Sequence, residues 1–164
     1  MSEENSIDVY SFEKENREYF ERSLPPRSAQ YFDSESFKEI TRELLREQEN
    51  HDVYMHLIRD AQGTMVGRIN LSVLEDDRKT AELGYRIGEN VTNLGYASEA
   101  VKLVLEKAFT TYGLHKIIAG TATDNLISQR VLLKNGFTFS RIIENDFQMH
   151  NEWIHTAVFE IRNL

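Results

Sequence analysis

The stretch from residue 80 to residue 113 constrains this chain of 164 residues more than any other. Residues 80–87 alternate with the two-residue period of a strand, and a loop of small and polar residues follows. From Gly95 onward Ala97, Ala100, Val101, Val104, Leu105, Ala108 and Tyr112 repeat at helical spacing. Gly113 is a natural stop for that helix, and residues 116–123 read as another strand. Strand, helix and strand in this order imply a parallel crossover, because parallel neighbours need a long connection. A helix start carries unpaired N–H groups and the positive end of the helix dipole. Gly95 and Ala97 leave those groups accessible, which is the condition for a diphosphate to approach the backbone. An ordinary tight turn uses the same small residues, so the loop alone does not identify a ligand.

The flanks define the fold class. Ile7, Val9 and Phe12 suggest an opening strand, followed by a short charged helix at 13–21 and a loop marked by the only prolines, Pro25 and Pro26. Residues 34–49 read as a helix with Phe37, Ile40, Leu44 and Leu45 on one face and Asp33 or Ser34 as its cap. At Val53 the period changes to two. Residues 53–58 and 65–73, joined by Asp60-Ala61-Gln62-Gly63, form a hairpin. A charged loop at 75–79 leads into the strand at 80–87. After residue 123, a helix at 125–134 closes on Asn135-Gly136, and two late strands are expected near 137–143 and 152–161. Counting the opening segment, this predicts seven strands in a mostly antiparallel mixed sheet flanked by helices, an α+β class rather than a regularly alternating doubly wound fold.

Composition excludes several chemistries. The chain has no cysteine, which removes disulfides, thiolate zinc sites, iron–sulfur clusters and a cysteine nucleophile together. The formal charge is −8, and residues 1–50 hold 13 acids against 7 bases. Such a surface is a poor partner for a nucleic acid. No targeting pattern or membrane-length apolar run occurs. One cytoplasmic domain over residues 1–164 is expected. His56, His115, His150 and His155 lack metal-ligand spacing, so no metal is expected. Neither a Gly-x-x-x-x-Gly-Lys-Ser/Thr loop nor a Gly-x-Gly-x-x-Gly turn is present.

Thr92-Asn93-Leu94-Gly95-Tyr96-Ala97 instead resembles the pyrophosphate loop of the GCN5-related N-acetyltransferases (GNAT), Gln/Arg-x-x-Gly-x-Gly/Ala. Asn125-Leu126-Ile127-Ser128, continued to Lys134-Asn135-Gly136-Phe137, is similar to that family's Asn-x-x-Ser helix ending in Lys-x-Gly-Phe. The resemblance covers nearly the whole chain and is greatest to the RimJ/RimL-type branch, whose members acetylate protein N-termini. Thr92 departs from the family's Gln or Arg and removes a long side chain that helps close the loop over the phosphates, with Asn93 beside it as a substitute.

The resemblance implies a three-layer fold with a splayed sheet and acetyl-CoA as co-substrate. The backbone of Asn93, Leu94, Gly95, Tyr96 and Ala97 would bind the pyrophosphate. The strand backbone at Tyr85, Arg86 and Ile87 would pair with the pantetheine arm, with Asn125 holding that arm from its other side. Asn125 is equally well read as a helix N-cap. Arg130 and Lys134, four apart on one face, would meet the 3′-phosphate or simply be solvated. Acetyl transfer to an amine needs that amine neutral, the developing oxyanion stabilised and a proton for the departing thiolate. Glu82 is the candidate base, with a solvated carboxylate or a pair with Arg86 as its alternative, and Ser128 is the candidate proton donor. The expected acceptor is the α-amine of a protein or peptide, for a monomer or homodimer. A small amine or polyamine acceptor and a non-catalytic acyl-CoA sensor are the alternatives.

Overall fold

A computed structural model describes residues 1–74 and 78–163, so Glu75, Asp76 and Asp77 of the predicted charged loop lie outside the described residues. The chain begins with a 3₁₀ turn, Glu3–Asn5, followed by helices α1, Ser6–Glu15, and α2, Arg17–Glu21. The expected opening strand is therefore a helix. Ile7 is 73% exposed while Val9, Phe12 and Glu13 are buried, which is the i, i+3, i+4 spacing of a helix face rather than the alternation of a strand. Losing that strand leaves six among the described residues where seven were expected.

Helix α3, Ser34–Glu49, starts as expected at Asp33, whose side chain accepts a hydrogen bond from the Ser36 N–H. Strands β1, Val53–Arg59, and β2, Met65–Val73, are joined at Asp60, whose Oδ1 accepts from the N–H groups of Gln62 and Thr64. Strand β3 is Thr80–Ile87, helix α4 Tyr96–Thr110, strand β4 Lys116–Ala122, helix α5 Leu126–Lys134, and the last two strands are β5, Thr138–Met149, and β6, Glu152–Arg162. Strand β5 extends beyond the predicted residue 143 because the ladder passes the polar Glu144-Asn145-Asp146 by a register shift between Ile143 and Phe147, with Asn145 left-handed at φ +52°. The β5–β6 turn places His150 and Asn151 at φ +51° and +65°, as a two-residue hairpin requires.

The sheet order is β1-β2-β3-β4-β6-β5. Strands β3 and β4 are parallel, and β6 is antiparallel to both β4 and β5. The parallel ladder contains only Thr80↔Lys116, Ala81↔Ile117 and Glu82↔Ile118. Strand β4 keeps its register with β6 as far as Ala122↔Thr156. Beyond Ile118, the registered partners of β4 among the described residues are those in β6.

The described residues form two compact units, one of residues 1–70 and 85–94, the other of 71–84 and 95–164. In the first, Val9, Tyr31 and Phe37 form a core against Tyr10, Ile40 and Leu57, with the Tyr31 and Phe37 rings edge to face at 5.2 Å. In the second, Val101, Val104 and Ala108 of α4 are buried, as are Ile117, Leu132 and Phe137. The face of α4 that the periodicity predicts is the face that is buried.

Candidate active site

Helix α4 opens without a side-chain cap. Its N-cap is Gly95 at φ +89°, a left-handed conformation natural to glycine. A methyl group added at Gly95 would meet no atom within 4 Å, so the space beside this backbone is not filled by the protein. The other two helices of the resemblance behave differently: Asp33 caps α3 and Asn125 caps α5 with their own side-chain oxygens. Asn93, exposed and left-handed at φ +62°, and exposed Leu94 lead into the turn, while Tyr96 and Ala97 are half-buried. Thr92 turns its hydroxyl back to donate to the Glu89 carbonyl at 3.0 Å. Its side chain thus shapes the approach to the loop. An uncapped first turn lined by Gly95 and Ala97 fits a diphosphate in both charge and space.

Asn125 sits at the start of α5, and its Oδ1 accepts from the Ser128 N–H at 3.1 Å. The capping role of Asn125 is therefore real, and the same bond fixes the backbone that carries Ser128. Gln129 donates to the Thr123 carbonyl at 2.9 Å, anchoring this helix start to the end of β4. Ser128 is half-buried, whereas Arg130 and Lys134 are exposed. At the other end of α5, Asn135 donates through Nδ2 to Ser98 Oγ at 3.2 Å and to the Val131 carbonyl at 2.8 Å. The link from α5 to the first turn of α4 was not anticipated. Its only signal in the sequence is a small hydroxyl residue within the first helical turn.

Glu82 lies at the last registered pair of the parallel ladder. Its side chain is exposed between buried Ala81 and Leu83, and it has no side-chain hydrogen bond or ion pair among the described residues. The anticipated alternative, a pair with Arg86, does not form, because Arg86 binds a different carboxylate.

In the other unit Tyr85, Arg86 and Ile87 are half-buried at the end of β3. Arg86 Nη1 donates to Glu13 Oε2 at 3.1 Å. Glu13 is 1% exposed and also meets Arg27 at 3.3 Å and Arg68 at 3.2 Å. Burial lowers the Arg86 guanidinium from its ordinary value, opposed by the nearby Glu13 charge. The Arg86 side chain thus points one donor at Glu13, and the contact expected of Arg86 with a pantetheine arm is a backbone one. Close approach by β2 fits this: a methyl group at Gly67 would stand 2.6 Å from the Arg86 carbonyl oxygen. The Glu13 cluster was missed from the sequence, where Glu13 reads as the start of a short charged helix. Its helical spacing from Val9 was the available signal.

Among the described residues no helix is long and apolar enough to cross a membrane, and no group of three or more metal-ligating side chains occurs. Residues 4–138 match the acetyltransferase (GNAT) domain family, and the chain belongs to that family. It is an acetyltransferase. A probable N-acetyltransferase of Bacillus subtilis (strain 168), YjcK, is 29% identical over 153 residues, covering 92% of this chain and 84% of that protein. The ribosomal-protein-S5-alanine acetyltransferase of Vibrio fischeri superposes with a TM-score of 0.93 at 18% identity, over 99% of this chain and 90% of that one. The spermidine N-acetyltransferase of Vibrio cholerae, solved with CoA and spermine, gives a TM-score of 0.81 at 18% identity, over 99% and 92% of the two chains. At such identities the two structural likenesses carry the fold, and the acceptor differs between them.

Proposed function

We propose that this chain is an acetyl-CoA-dependent N-acetyltransferase of the RimJ/RimL type that acts on the α-amine of a protein or peptide. The observation that carries the reading is the start of α4, uncapped and with open space beside a left-handed Gly95. The backbone of residues 93–97 holds the pyrophosphate there. The backbone of Tyr85, Arg86 and Ile87 binds the pantetheine arm, and Arg130 and Lys134, exposed and one turn apart, face the 3′-phosphate. Asn125 acts by holding the first turn of α5, and Ser128 on that turn offers a hydroxyl donor. Acetyl-CoA, when bound, supplies an acyl group already activated as a thioester.

Glu82 takes the proton from the acceptor amine, directly or through one water. An exposed carboxylate is a modest base, so it suits an amine that is easily deprotonated. At pH 7 roughly a tenth of a protein α-amine is neutral, against about 0.04% of a lysine, a difference of about 3 kcal/mol. This favours the α-amine over lysine. The test follows free thiol as acetyl-CoA and an acceptor peptide react. Glu82→Gln is expected to lower kcat by about 10²-fold, and Ser128→Ala to lower it less, each with a smaller change in the KM for acetyl-CoA. Full rates in both variants would overturn these assignments.

A further inference from the structure

A serine in the first turn of a helix can turn its hydroxyl onto the backbone groups around it. At the start of α4 that would cover part of what a bound anion needs. Ser98 stands third in this helix, after Tyr96 and Ala97. The N–H groups of residues 96–98 precede the first bond of the helix, from the Glu99 N–H to the Gly95 carbonyl at 3.1 Å. The Ser98 oxygen is not turned onto this backbone. It accepts instead from Asn135 Nδ2 at 3.2 Å, across from the C-cap of α5.

The direction of that bond is fixed by a third group. Asn135 Nδ2 also lies 2.8 Å from the Val131 carbonyl oxygen. A carbonyl only accepts, so the atom facing it must be the amide nitrogen, which only donates. The two protons of that nitrogen go to Val131 and to Ser98. The Ser98 oxygen is therefore the acceptor, and its own proton has no acceptor among the described residues. Ser98 and Asn135 are both half-buried and belong to the same compact unit.

We propose that Asn135 is a positioning residue for donor binding, acting through Ser98: it holds the serine oxygen off the helix backbone and leaves the hydroxyl proton for a diphosphate at the start of α4. This role rests on the reading of that helix start as the acetyl-CoA site, and it adds one side-chain donor to the bare N–H groups. It also accounts for a serine that occupies the turn while no side-chain hydrogen bond caps the helix. A hydrogen bond to an ionised phosphate is stronger than one between neutral groups, so a single oriented hydroxyl matters there.

The test is a double-mutant cycle on the full chain, read as the Kd of CoA by calorimetry and as kcat and KM for acetyl-CoA by thiol release. Ser98→Ala is expected to weaken CoA binding about tenfold, the worth of one hydrogen bond to a charged group. Asn135→Leu keeps the branched shape and removes the donor, and it is expected to weaken binding about three- to tenfold. Both losses should fall on KM more than on kcat. Because Asn135 acts through Ser98, the double variant should bind no more weakly than Ser98→Ala alone. Ser98→Thr keeps the hydroxyl and should keep the affinity, and Asn135→Gln, which retains the donor on a longer stem, should recover part of it. Circular dichroism confirms that the variants fold. Losses that multiply in the double variant, a fall in kcat with KM unchanged, or full CoA affinity in Ser98→Ala would each overturn the proposal. Should Asn135→Leu not fold, Ser98→Ala against Ser98→Thr decides: equal affinities overturn it, and a loss in Ser98→Ala that Ser98→Thr lacks supports it. If the unaltered protein binds no CoA, the donor-site reading fails, and the role of Asn135 is judged with inorganic diphosphate, by the amide signals of residues 96–98. A saturable shift weakened in both Ser98→Ala and Asn135→Leu supports it, and no shift, or a shift that both variants keep, overturns it.

Discussion

Replacing Glu13 by Gln removes one negative charge and almost nothing else, which makes it the sharpest probe of how the N-terminal unit is held together. The carboxylate is 1% exposed, and the side chains of Arg27, Arg68 and Arg86 are 25%, 13% and 17% exposed. Removing one member of a buried ion pair typically costs 3–5 kcal/mol because the remaining charge is left uncompensated. Here the arginines retain some contact with water, which favours the lower end of that range, and glutamine keeps one oxygen as an acceptor. The expected loss is therefore about 3 kcal/mol. For a chain of this size, each kcal/mol lowers Tm by about 2–4 °C, so the variant should melt about 6–12 °C lower. Urea unfolding followed by far-ultraviolet circular dichroism measures the loss directly. Glu21→Gln is the control. Its carboxylate is 30% exposed and pairs with Arg17 on the surface of α2, so the cost should stay below about 1 kcal/mol. Equal losses in the two variants, or a loss under about 1 kcal/mol for Glu13→Gln, would refute the view that three arginines depend on this one carboxylate.

Gly95→Ala places a side chain at φ +89°, where the added methyl meets no neighbouring atom. The expected cost is about 1 kcal/mol of conformational strain in urea unfolding, with CoA affinity by calorimetry reduced beyond that strain; unchanged affinity would separate Gly95 from the donor site. Asn125→Ala removes the acceptor for the Ser128 N–H and should cost about 1 kcal/mol, whereas Asn125→Asp retains the cap and should cost much less. If Asn125→Asp preserves stability yet loses activity in the thiol assay, Asn125 does more than cap its helix.

Local periodicity made most of the elements legible. The face of α4 was readable because Ala100, Val101, Val104 and Ala108 repeat over about two and a half turns, and those residues are buried. Asp33 and Asn125 were readable as caps because their chemistry is local, and both accept from an N–H three residues on. The N-terminus misled because Ile7 and Val9 mimic alternation over three residues, too short a window to reveal that Ile7 faces solvent. Strand β5 was cut short because a bulge at Asn145 interrupts its period without ending the strand. The role of Glu13 was illegible for a different reason. Burying a carboxylate depends on Arg27, Arg68 and Arg86, which only the fold brings to it, and no nearby pattern encodes that. The end of the parallel ladder at Glu82↔Ile118 is likewise a tertiary fact. In the site, the loop at 92–97 was legible as a motif, but the return of the Thr92 hydroxyl to the Glu89 carbonyl was not.

The central claim is that the bare start of α4 grips the diphosphate of the donor. Titrating CoA into isotope-labelled protein while recording amide resonances tests it most directly. The account predicts saturable binding in which the N–H signals of Gly95, Tyr96 and Ala97 move most, with dephosphorylated pantetheine leaving them in place. Saturable CoA binding that leaves those three signals unmoved, or no binding at all, would contradict it.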